Sequence, residues 1–341
     1  MNVTFMIGNG FDLNQKLKTS YGDFYSYYLE NQPNDIISRS ISNNYKLWAD
    51  LELGLGQLLK DIKEDEIDAF LDSKSTLENH LENYLAKESA RFRITDEQKF
   101  ASEFKEKILN FWNEFNATDK NYCCNLIKQA ASSVFYQFIT FNYTTILDSM
   151  IATTKKSYDI LSNRTVGGRS VYDRLSAPLH VHGTLNEQDL ILCVDNPSQI
   201  GNELFRSNKS IVDYMIKENV NRELGERKIE RAREIIKESS IICLYGLSIG
   251  ATDSLWWQEL VKWLNASNTH RLVLYERDVS GKNCSGAERI RRRNRARNEF
   301  MMKSGCSEEQ FGDGVLDRII VVRNSPIFTF ENVTTVDENN C

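Results

Sequence analysis

Four short polar segments combine the glycine, amide, imidazole and hydroxyl groups that can bind a nucleotide and move a proton. They are Gly8-Asn9-Gly10, Asn142-Tyr143-Thr144, His182-Gly183 and Gly246-Leu247-Ser248, and each follows an apolar run. Ligands of doubly wound sheets bind beyond the carboxyl ends of the parallel strands. If the apolar runs are parallel strands of one sheet, the four segments therefore meet in one cleft.

An imidazole and an amide in these segments carry the chemistry that we expect. Near neutral pH, His182 can act as a general base or polarise a ribose hydroxyl. The amide of Asn142 donates and accepts hydrogen bonds, which suits it to hold a water molecule or a ribose hydroxyl. Two structural interpretations stay open: a histidine satisfied within the sheet, and an asparagine that caps the next helix.

A metal site is not predicted at the pair of histidines His180 and His182. His180 is interpreted as a structural histidine that is satisfied within the sheet. No nearby Asp, Glu or Cys completes a ligand set around the pair.

The glycine turn follows the run Val3 to Ile7 and has the spacing G-x-G. Glycines at such a turn allow positive φ and let peptide N–H groups approach a phosphate. A full G-x-G-x-x-G motif needs a third glycine at the position of Leu13, so a simple tight turn remains an alternative. Asp12 and Asp253 both have an alternative interpretation as N-caps of the helices that follow them.

The composition indicates a soluble globular protein with no cofactor signature of its own. Charged residues make up 26% of the 341 residues and hydrophobic ones 41%, with only 4 prolines. The 7 cysteines include no C-x-x-C pair, which predicts a reduced, cytoplasmic protein without a four-cysteine zinc site. No run reaches the roughly 18 apolar residues of a membrane span, so no membrane association is expected.

The order of predicted elements indicates an α/β fold, with a Rossmann-like, mostly parallel sheet and helices on both faces. We expect one domain over residues 1–330, interrupted by a helical insertion at about 36–128 with no strand in it, and a polar, frayed tail at 331–341. The strands after the first are predicted at 134–141, 178–183, 190–194, 241–246, 272–275 and 319–322. Charged helices are predicted at about 221–239 and 254–266.

The segment from Arg289 to Arg297 contains six arginines in nine positions. A solvated helical face is the simpler interpretation, and a grip on nucleic acid is the alternative. The net charge of −6 weakens the second interpretation, so a nucleic-acid partner is unlikely on composition. No P-loop, G-x-S-x-G or H-E-x-x-H motif is present.

In combination, these motifs resemble the AbiH abortive-infection family of phage defence over residues 5 to about 275. The matching positions are Gly8 to Leu13, Thr19, Tyr21, Asp23, Phe24, Trp48, Glu52, Phe141 to Thr144, His180, His182, Gly183, Gly246, Ser248 and Asp253. More distantly, the chain is similar to the sirtuin superfamily, whose members bind NAD on a Rossmann-like sheet.

The resemblance implies a role for each matching position. The implied catalytic residues are Asn142, near the nicotinamide ribose, and His182, the base. The implied cofactor-binding residues are Gly8, Asn9, Gly10, Phe11, Asp12, Asp23, Phe24, Thr144, Gly246, Ser248 and Tyr275. Thr144 stands where sirtuins carry a carboxylate, Tyr25 replaces an arginine, and the zinc module's cysteine pairs are missing. Protein deacylation is therefore not expected.

The leading prediction is an NAD glycohydrolase, with NAD as substrate, no required cofactor and a regulated activity. A homo-oligomer, or a regulatory or phage-encoded partner, is a possible source of that regulation. Two alternatives stay open: a sensing module that binds NAD or ADP-ribose without turnover, and a nuclease or nucleic-acid-binding effector that uses the arginine segment.

Overall fold

A seven-stranded sheet forms the centre of the protein, seen in a computed structural model that describes residues 1–32, 34–185, 190–225, 227–278, 285–306 and 314–336. The strands of the described residues are β1 Asn2–Ile7, β2 Phe92–Ile94, β3 Phe135–Thr140, β4 Ser162–Val166, β5 Arg169–His180, β6 Ser239–Tyr245, β7 Arg271–Glu276, β8 Ile319–Arg323 and β9 Val333–Thr335. All except β2 and β9 belong to this sheet.

The order of strands in the sheet is β4-β5-β3-β1-β6-β7-β8, and all neighbours are parallel except β4 and β5. From β1 the chain first adds β3 and β5 on one side and then adds β6, β7 and β8 on the other. This is the order of a doubly wound dinucleotide-binding sheet, and its direction reverses between β1 and β6. The predicted α/β, Rossmann-like fold is confirmed.

Helices cover both faces of the sheet. The helices of the described residues are α1 Gly10–Asn14, α2 Tyr21–Asn31, α3 Ile36–Asn43, α4 Leu51–Leu58, α5 Ile67–Ser89, α6 Glu97–Leu109, α7 Ala117–Lys128, α8 Ile146–Ser157, α9 Lys209–Met215, α10 Lys217–Glu223, α11 Lys228–Glu238, α12 Ser254–Ala266 and α13 Gly286–Lys303. Phe5 and Ile7 of β1 pack with α6, α7 and α8, whereas Met6 packs with α11, α12 and α13. Because strand side chains alternate between faces, a strand covered on both sides is buried at every position, as β1 is.

The predicted insertion divides into two parts. Helices α3, α4 and α5 join α2 in a third core beside the sheet, and α6 and α7 cover one face of the sheet. Contrary to the prediction of no strand here, Phe92–Ile94 forms β2, which pairs with β9. The tail is therefore paired over Val333–Thr335, and its end beyond Val336 lies outside the described residues. Three-residue strands are too short to show a periodic pattern.

Two other predictions about strands are wrong. Residues 190–194 form only an isolated bridge between Val194 and Ile216, because this apolar run is buried in the third core rather than in the sheet. The hairpin of β4 and β5 was not predicted, although Gly167-Gly168 between them is a typical hairpin turn and both glycines have positive φ. Strand β5 also ends at His180, which leaves His182 in the turn that follows.

Candidate functional site

A cleft of about 1330 Å³ lies at the carboxyl edge of the sheet, over the point where the strand order reverses. It is larger than the roughly 300–1,000 Å³ of most small-molecule sites. Ten predicted site residues line it: Gly8, Asn9, Gly10, Asp12, Asn142, Thr144, His182, Gly246, Ser248 and Tyr275. The structure brings the ends of β1, β3, β5 and β6 together, as the sequence predicts.

The two glycine turns at the strand reversal pack directly against each other. Gly8 N donates to Tyr245 O and Gly10 N donates to Gly246 O, both at 2.9 Å. A Cβ on Gly10 would lie 2.5 Å from Gly246 Cα, and Gly246 itself has φ +69°. The glycines are therefore needed for the close approach of the two turns. The N–H groups of Gly8 and Gly10 are therefore bonded to the neighbouring turn, and the binding of a phosphate at this turn stays a prediction.

Asp12 and Asn142 meet at the ends of β1 and β3. Thr144 donates its hydroxyl to Asp12 Oδ2 at 2.6 Å, and the side chain of Asp12 is buried. Burial raises the pKa of Asp12 to about 6, although Thr144 and Asn142 oppose this shift. Among the described residues, Oδ1 of Asp12 and Oδ1 of Asn142 are both buried without a well-aligned hydrogen-bond partner.

The N-cap interpretation fails for Asp12 and for Asn142. The N-cap position of α1 is Asn9, and that of α8 is Thr145, whose side chain makes no cap hydrogen bond. Asp12 instead lies within the first turn of α1, where its carboxylate faces Thr144. Neither the Asp12 nor the Asn142 side chain is therefore used as a helix cap, and both line the cleft.

His182 is buried in the turn after β5, with its ring edge-on to Phe141 at 5.2 Å between centroids. Its Nε2 lies 3.2 Å from Asp253 Oδ1, but the angle is too poor for an aligned hydrogen bond. By contrast, both ring nitrogens of His180 have close partners, Asn142 O at 3.0 Å and Asp148 Oδ2 at 2.9 Å. His180 is structural, as expected, and His182 is not saturated.

Behind His182 lies a buried ion network that the sequence did not reveal. The ammonium group of Lys217 donates to Glu52 Oε2 at 2.8 Å, to Asp253 Oδ1 at 2.8 Å and to Thr252 O at 2.7 Å. In the sequence, Glu52 is singled out only by the AbiH resemblance, and Asp253 by that resemblance and as a possible N-cap. No sequence signal marks Lys217, which begins α10 after an ordinary apolar stretch.

Asp253 occupies the N-cap position of α12, as its alternative interpretation has it, but it does not cap the helix with its side chain. Its side chain makes no cap hydrogen bond to α12, and the first turn of that helix is instead bound by Asp195, which accepts from Leu255 N at 3.2 Å. The carboxylate of Asp253 is thereby left to Lys217 and His182. A second carboxylate takes the capping role, so the first one is available to the site.

The network sets the protonation states of its members. Burial and the neighbouring Lys217 lower the pKa of His182, and Asp253 only partly opposes them. Burial disfavours the charge on Lys217, but Asp253 and Glu52 together raise its pKa above the usual range. Burial also disfavours the charge on Asp253, yet Lys217 and His182 lower its pKa. We therefore expect a neutral imidazole beside an ionised pair at neutral pH.

The far end of the cleft carries five basic and three acidic side chains, and the acidic ones are Glu276, Asp278 and Glu299. The basic side chains that line it are Arg277, Arg292, Arg295, Lys303 and Arg323. Arg292 is paired with Asp278 and Glu288, and Arg297 is buried with its Nε donating to Ile319 O. The interpretation of α13 as a solvated face is therefore wrong for these two arginines.

Three predicted cofactor residues do not line the cleft. Phe11 is buried against Phe328, with ring centroids 5.3 Å apart, and Phe24 lies in the third core. Asp23 is in the first turn of α2, where its N–H donates to Ser20 Oγ at 3.2 Å. All three stabilise the walls rather than face the ligand space.

Two of the lining residues already use their polar groups. The amide nitrogen of Asn9 donates to Thr19 O at 2.8 Å, and its Oδ1 accepts from the Thr19 hydroxyl at 2.6 Å. The hydroxyl of Tyr275 donates to Phe111 O at 3.1 Å. A ligand would contact these residues through their remaining surface.

The chain is similar to a known protein family over most of its length. The family model described as Bacteriophage abortive infection AbiH matches residues 4–275, most of the chain, and α13 lies outside the match. No curated protein matches. Of the helices that the described residues form, none is long and apolar enough to cross a membrane. Within the same residues, no group of three or more His, Cys, Asp or Glu side chains has the arrangement of metal ligands.

Proposed function

Because the chain belongs to the AbiH family of bacteriophage abortive-infection proteins, we propose that its cleft binds NAD and hydrolyses it to nicotinamide and ADP-ribose. The reaction would be the effector step of defence, since NAD loss stops the metabolism of an infected cell. The AbiH match supports the defence role, and the cleft supports the chemistry.

One observation carries the proposal of an enzymatic site. Asp12 Oδ1, Asn142 Oδ1 and His182 Nε2 are buried, line the same cleft and lack an aligned partner among the described residues. Buried polar atoms are nearly always hydrogen-bonded, so exceptions that converge on one cleft indicate groups reserved for a ligand. Ribose hydroxyls and water both donate hydrogen bonds, which fits two oxygen acceptors at this position.

The charge distribution of the cleft fits the same ligand. The nicotinamide ring of NAD is a pyridinium cation, and the acidic end near Asp12 and Asp253 would stabilise it. The pyrophosphate is anionic, and Arg277 and Arg295 line the opposite end. Because the N–H groups of Gly8 and Gly10 are bonded to the neighbouring turn, basic side chains would contribute to holding the phosphates.

The hydrolysis needs few catalytic groups. The bond between ribose C1′ and the nicotinamide nitrogen breaks, and its electron pair neutralises the pyridinium, so no acid is required for the leaving group. Asn142 Oδ1 accepts a hydrogen bond from the water or the ribose 2′-hydroxyl. Water forms the new C1′–O bond while the neutral imidazole of His182 takes its proton. Asp253, beside the ring, stabilises the imidazolium that results.

The test is the release of nicotinamide from NAD by the purified protein and by cells before and after phage infection. We expect the variants His182→Ala and Asn142→Ala to lose about 10²- to 10⁴-fold in turnover, the usual contribution of a general base. His80→Gln is the matched control, because His80 lies on α5 and does not line the cleft. Its turnover should equal that of the wild type.

The same experiment distinguishes the enzyme from a sensing module. Saturable binding of NAD without nicotinamide release, in both resting and infected cells, would replace hydrolysis with sensing. Equal turnover by the wild type and both variants would refute the roles of Asn142 and His182. A requirement for infected-cell extract would indicate that a phage-encoded or regulatory partner, or an assembly of several copies, supplies the trigger.

A further inference from the structure

Lys217 and His182 share one carboxylate oxygen. Asp253 Oδ1 accepts from Lys217 Nζ at 2.8 Å and lies 3.2 Å from His182 Nε2. The ammonium group has three protons, and its three close acceptors are Asp253, Glu52 and Thr252 O. Lys217 therefore has no proton left for a substrate.

The position of Lys217 also separates it from the ligand space. It does not line the main cleft, and it borders a smaller cavity of about 240 Å³ on the other side of His182. Its side chain is buried, and a buried cation is costly unless it is fully paired. A buried lysine in this position acts through its neighbours rather than on the ligand.

We propose that Lys217 is a positioning residue for His182: it holds the Asp253 carboxylate beside the imidazole, and its positive charge keeps that imidazole neutral. This inference rests on the proposed function, in which His182 is the base. Two observations support this role. Its charge repels a proton on His182, and the Asp253 oxygen that it binds, Oδ1, is not aligned with Nε2.

Charged groups on several elements surround His182. Glu52 comes from α4, Lys217 and Glu218 from α10, Asp253 from the start of α12, and Asp195 from the segment before α9. The ring of Tyr143 packs on the other side, 6.4 Å from the His182 ring. Lys217 is the cation among these groups, and its removal makes the surroundings of His182 more negative.

The network also connects the helical insertion to the site. Glu52 lies on α4 in the third core, and its carboxylate binds the ammonium group that holds Asp253. A movement of α4 relative to the sheet would therefore change the charge beside His182. Through this contact, a conformational change in the helical insertion would change the pKa of His182.

The first test is the pH dependence of NAD hydrolysis by Lys217→Met. Without the cation, Asp253 pairs with His182 alone, and we expect the acid limb of kcat/KM to move up by about one pH unit or more. Activity near pH 6 should then fall about tenfold relative to activity at pH 8. Lys217→Arg keeps the charge, so its acid limb should stay where the wild type has it.

A purely structural role gives a different result. It would lower activity by the same factor at every pH, and an unmoved acid limb in Lys217→Met would overturn the inference. If Lys217→Met does not fold because it leaves the carboxyl groups of Glu52 and Asp253 without their donor, the double variant Glu52→Gln/Lys217→Met replaces one of them by a neutral amide. Its acid limb should move up in the same way.

A second measurement does not depend on catalysis. The imidazole signals of His182 can be followed by NMR as a function of pH in the wild type and in the variants. A higher midpoint in Lys217→Met or in the double variant supports the inference even if no NAD is hydrolysed, in which case only the proposed function fails. An unchanged midpoint overturns the inference even if NAD is hydrolysed.

Discussion

Replacing Asp12 by asparagine should make the protein more stable while weakening its site. Asp12 is a buried carboxylate whose pKa is raised by burial from 3.8 to about 6. The asparagine has nearly the same shape, retains an oxygen that can accept from the Thr144 hydroxyl, and carries no charge to bury. The variant Asp12→Asn therefore removes the cost of ionising this group inside the protein.

The sign and size of the effect follow from the two pKa values. Below pH 3.8 the group is protonated in both states and costs nothing. As the pH rises from 3.8 to about 6, the unfolded chain releases the proton and the folded protein retains it, so the wild type loses stability. Above pH 6 the full cost is present. At about 1.4 kcal/mol per pH unit, it amounts to about 3 kcal/mol at pH 8 and roughly half of that at pH 5.

The assay is urea denaturation of wild type and Asp12→Asn at pH 5 and pH 8. We expect the variant to gain about 3 kcal/mol at the higher pH and about half of that at the lower one. Asp96→Asn is the control, because Asp96 is a partly exposed N-cap of α6 whose pKa is lowered by the hydrogen bond from Lys99 N, so its replacement should bring no gain in stability at pH 8. NAD binding should weaken in Asp12→Asn, because the substitution removes one of the two carboxylate oxygens, and Oδ1 is a buried acceptor without an aligned partner.

A gain in stability that is the same at both pH values, or no gain at pH 8, would refute the cost assigned to ionised Asp12. Either result would mean that the ionisation of Asp12 does not destabilise the folded protein. A gain in stability that is accompanied by stronger NAD binding would contradict the assignment of Asp12 to the binding site.

Two further substitutions test the packing beneath the cleft. Gly246→Ala would place a Cβ 2.6 Å from Phe11 N at a φ of +69°, so we expect a loss of at least about 1–3 kcal/mol and of NAD binding. Gly286→Ala, in open space, is its control and should be neutral or slightly stabilising. Phe328→Ala should cost about 3–5 kcal/mol in urea denaturation, because its buried ring packs against Tyr245 at 4.8 Å. A loss under 1 kcal/mol for either Gly246→Ala or Phe328→Ala would contradict the packing beneath the turns.

Much of the fold follows from local patterns. The runs at 134–141, 241–246, 272–275 and 319–322 are strands because each is apolar over a length typical of a buried strand. The run at 190–194 has the same pattern but is buried among helices. An apolar run indicates that a segment is buried. Whether that segment joins a sheet or a helical core depends on the elements that pack around it.

The position of the cleft could also be predicted from the sequence. Parallel strands end at one edge, so the segments around Gly8, Asn142, His182 and Gly246 had to meet there. Their detailed roles could not be predicted. The two glycine turns use each other's backbone groups, and this depends on β1 and β6 being neighbours in the sheet.

The sequence by itself determined the doubly wound sheet and the set of polar residues at its carboxyl edge, because strand periodicity and the residues that end each strand are local properties. Only the tertiary structure brought Lys217 to Glu52, 165 positions away, and to Asp253, 36 positions away. It also decided which polar groups are satisfied and which are left for a ligand. Burial changes the cost of a charge, and burial is a property of the packed protein rather than of any segment.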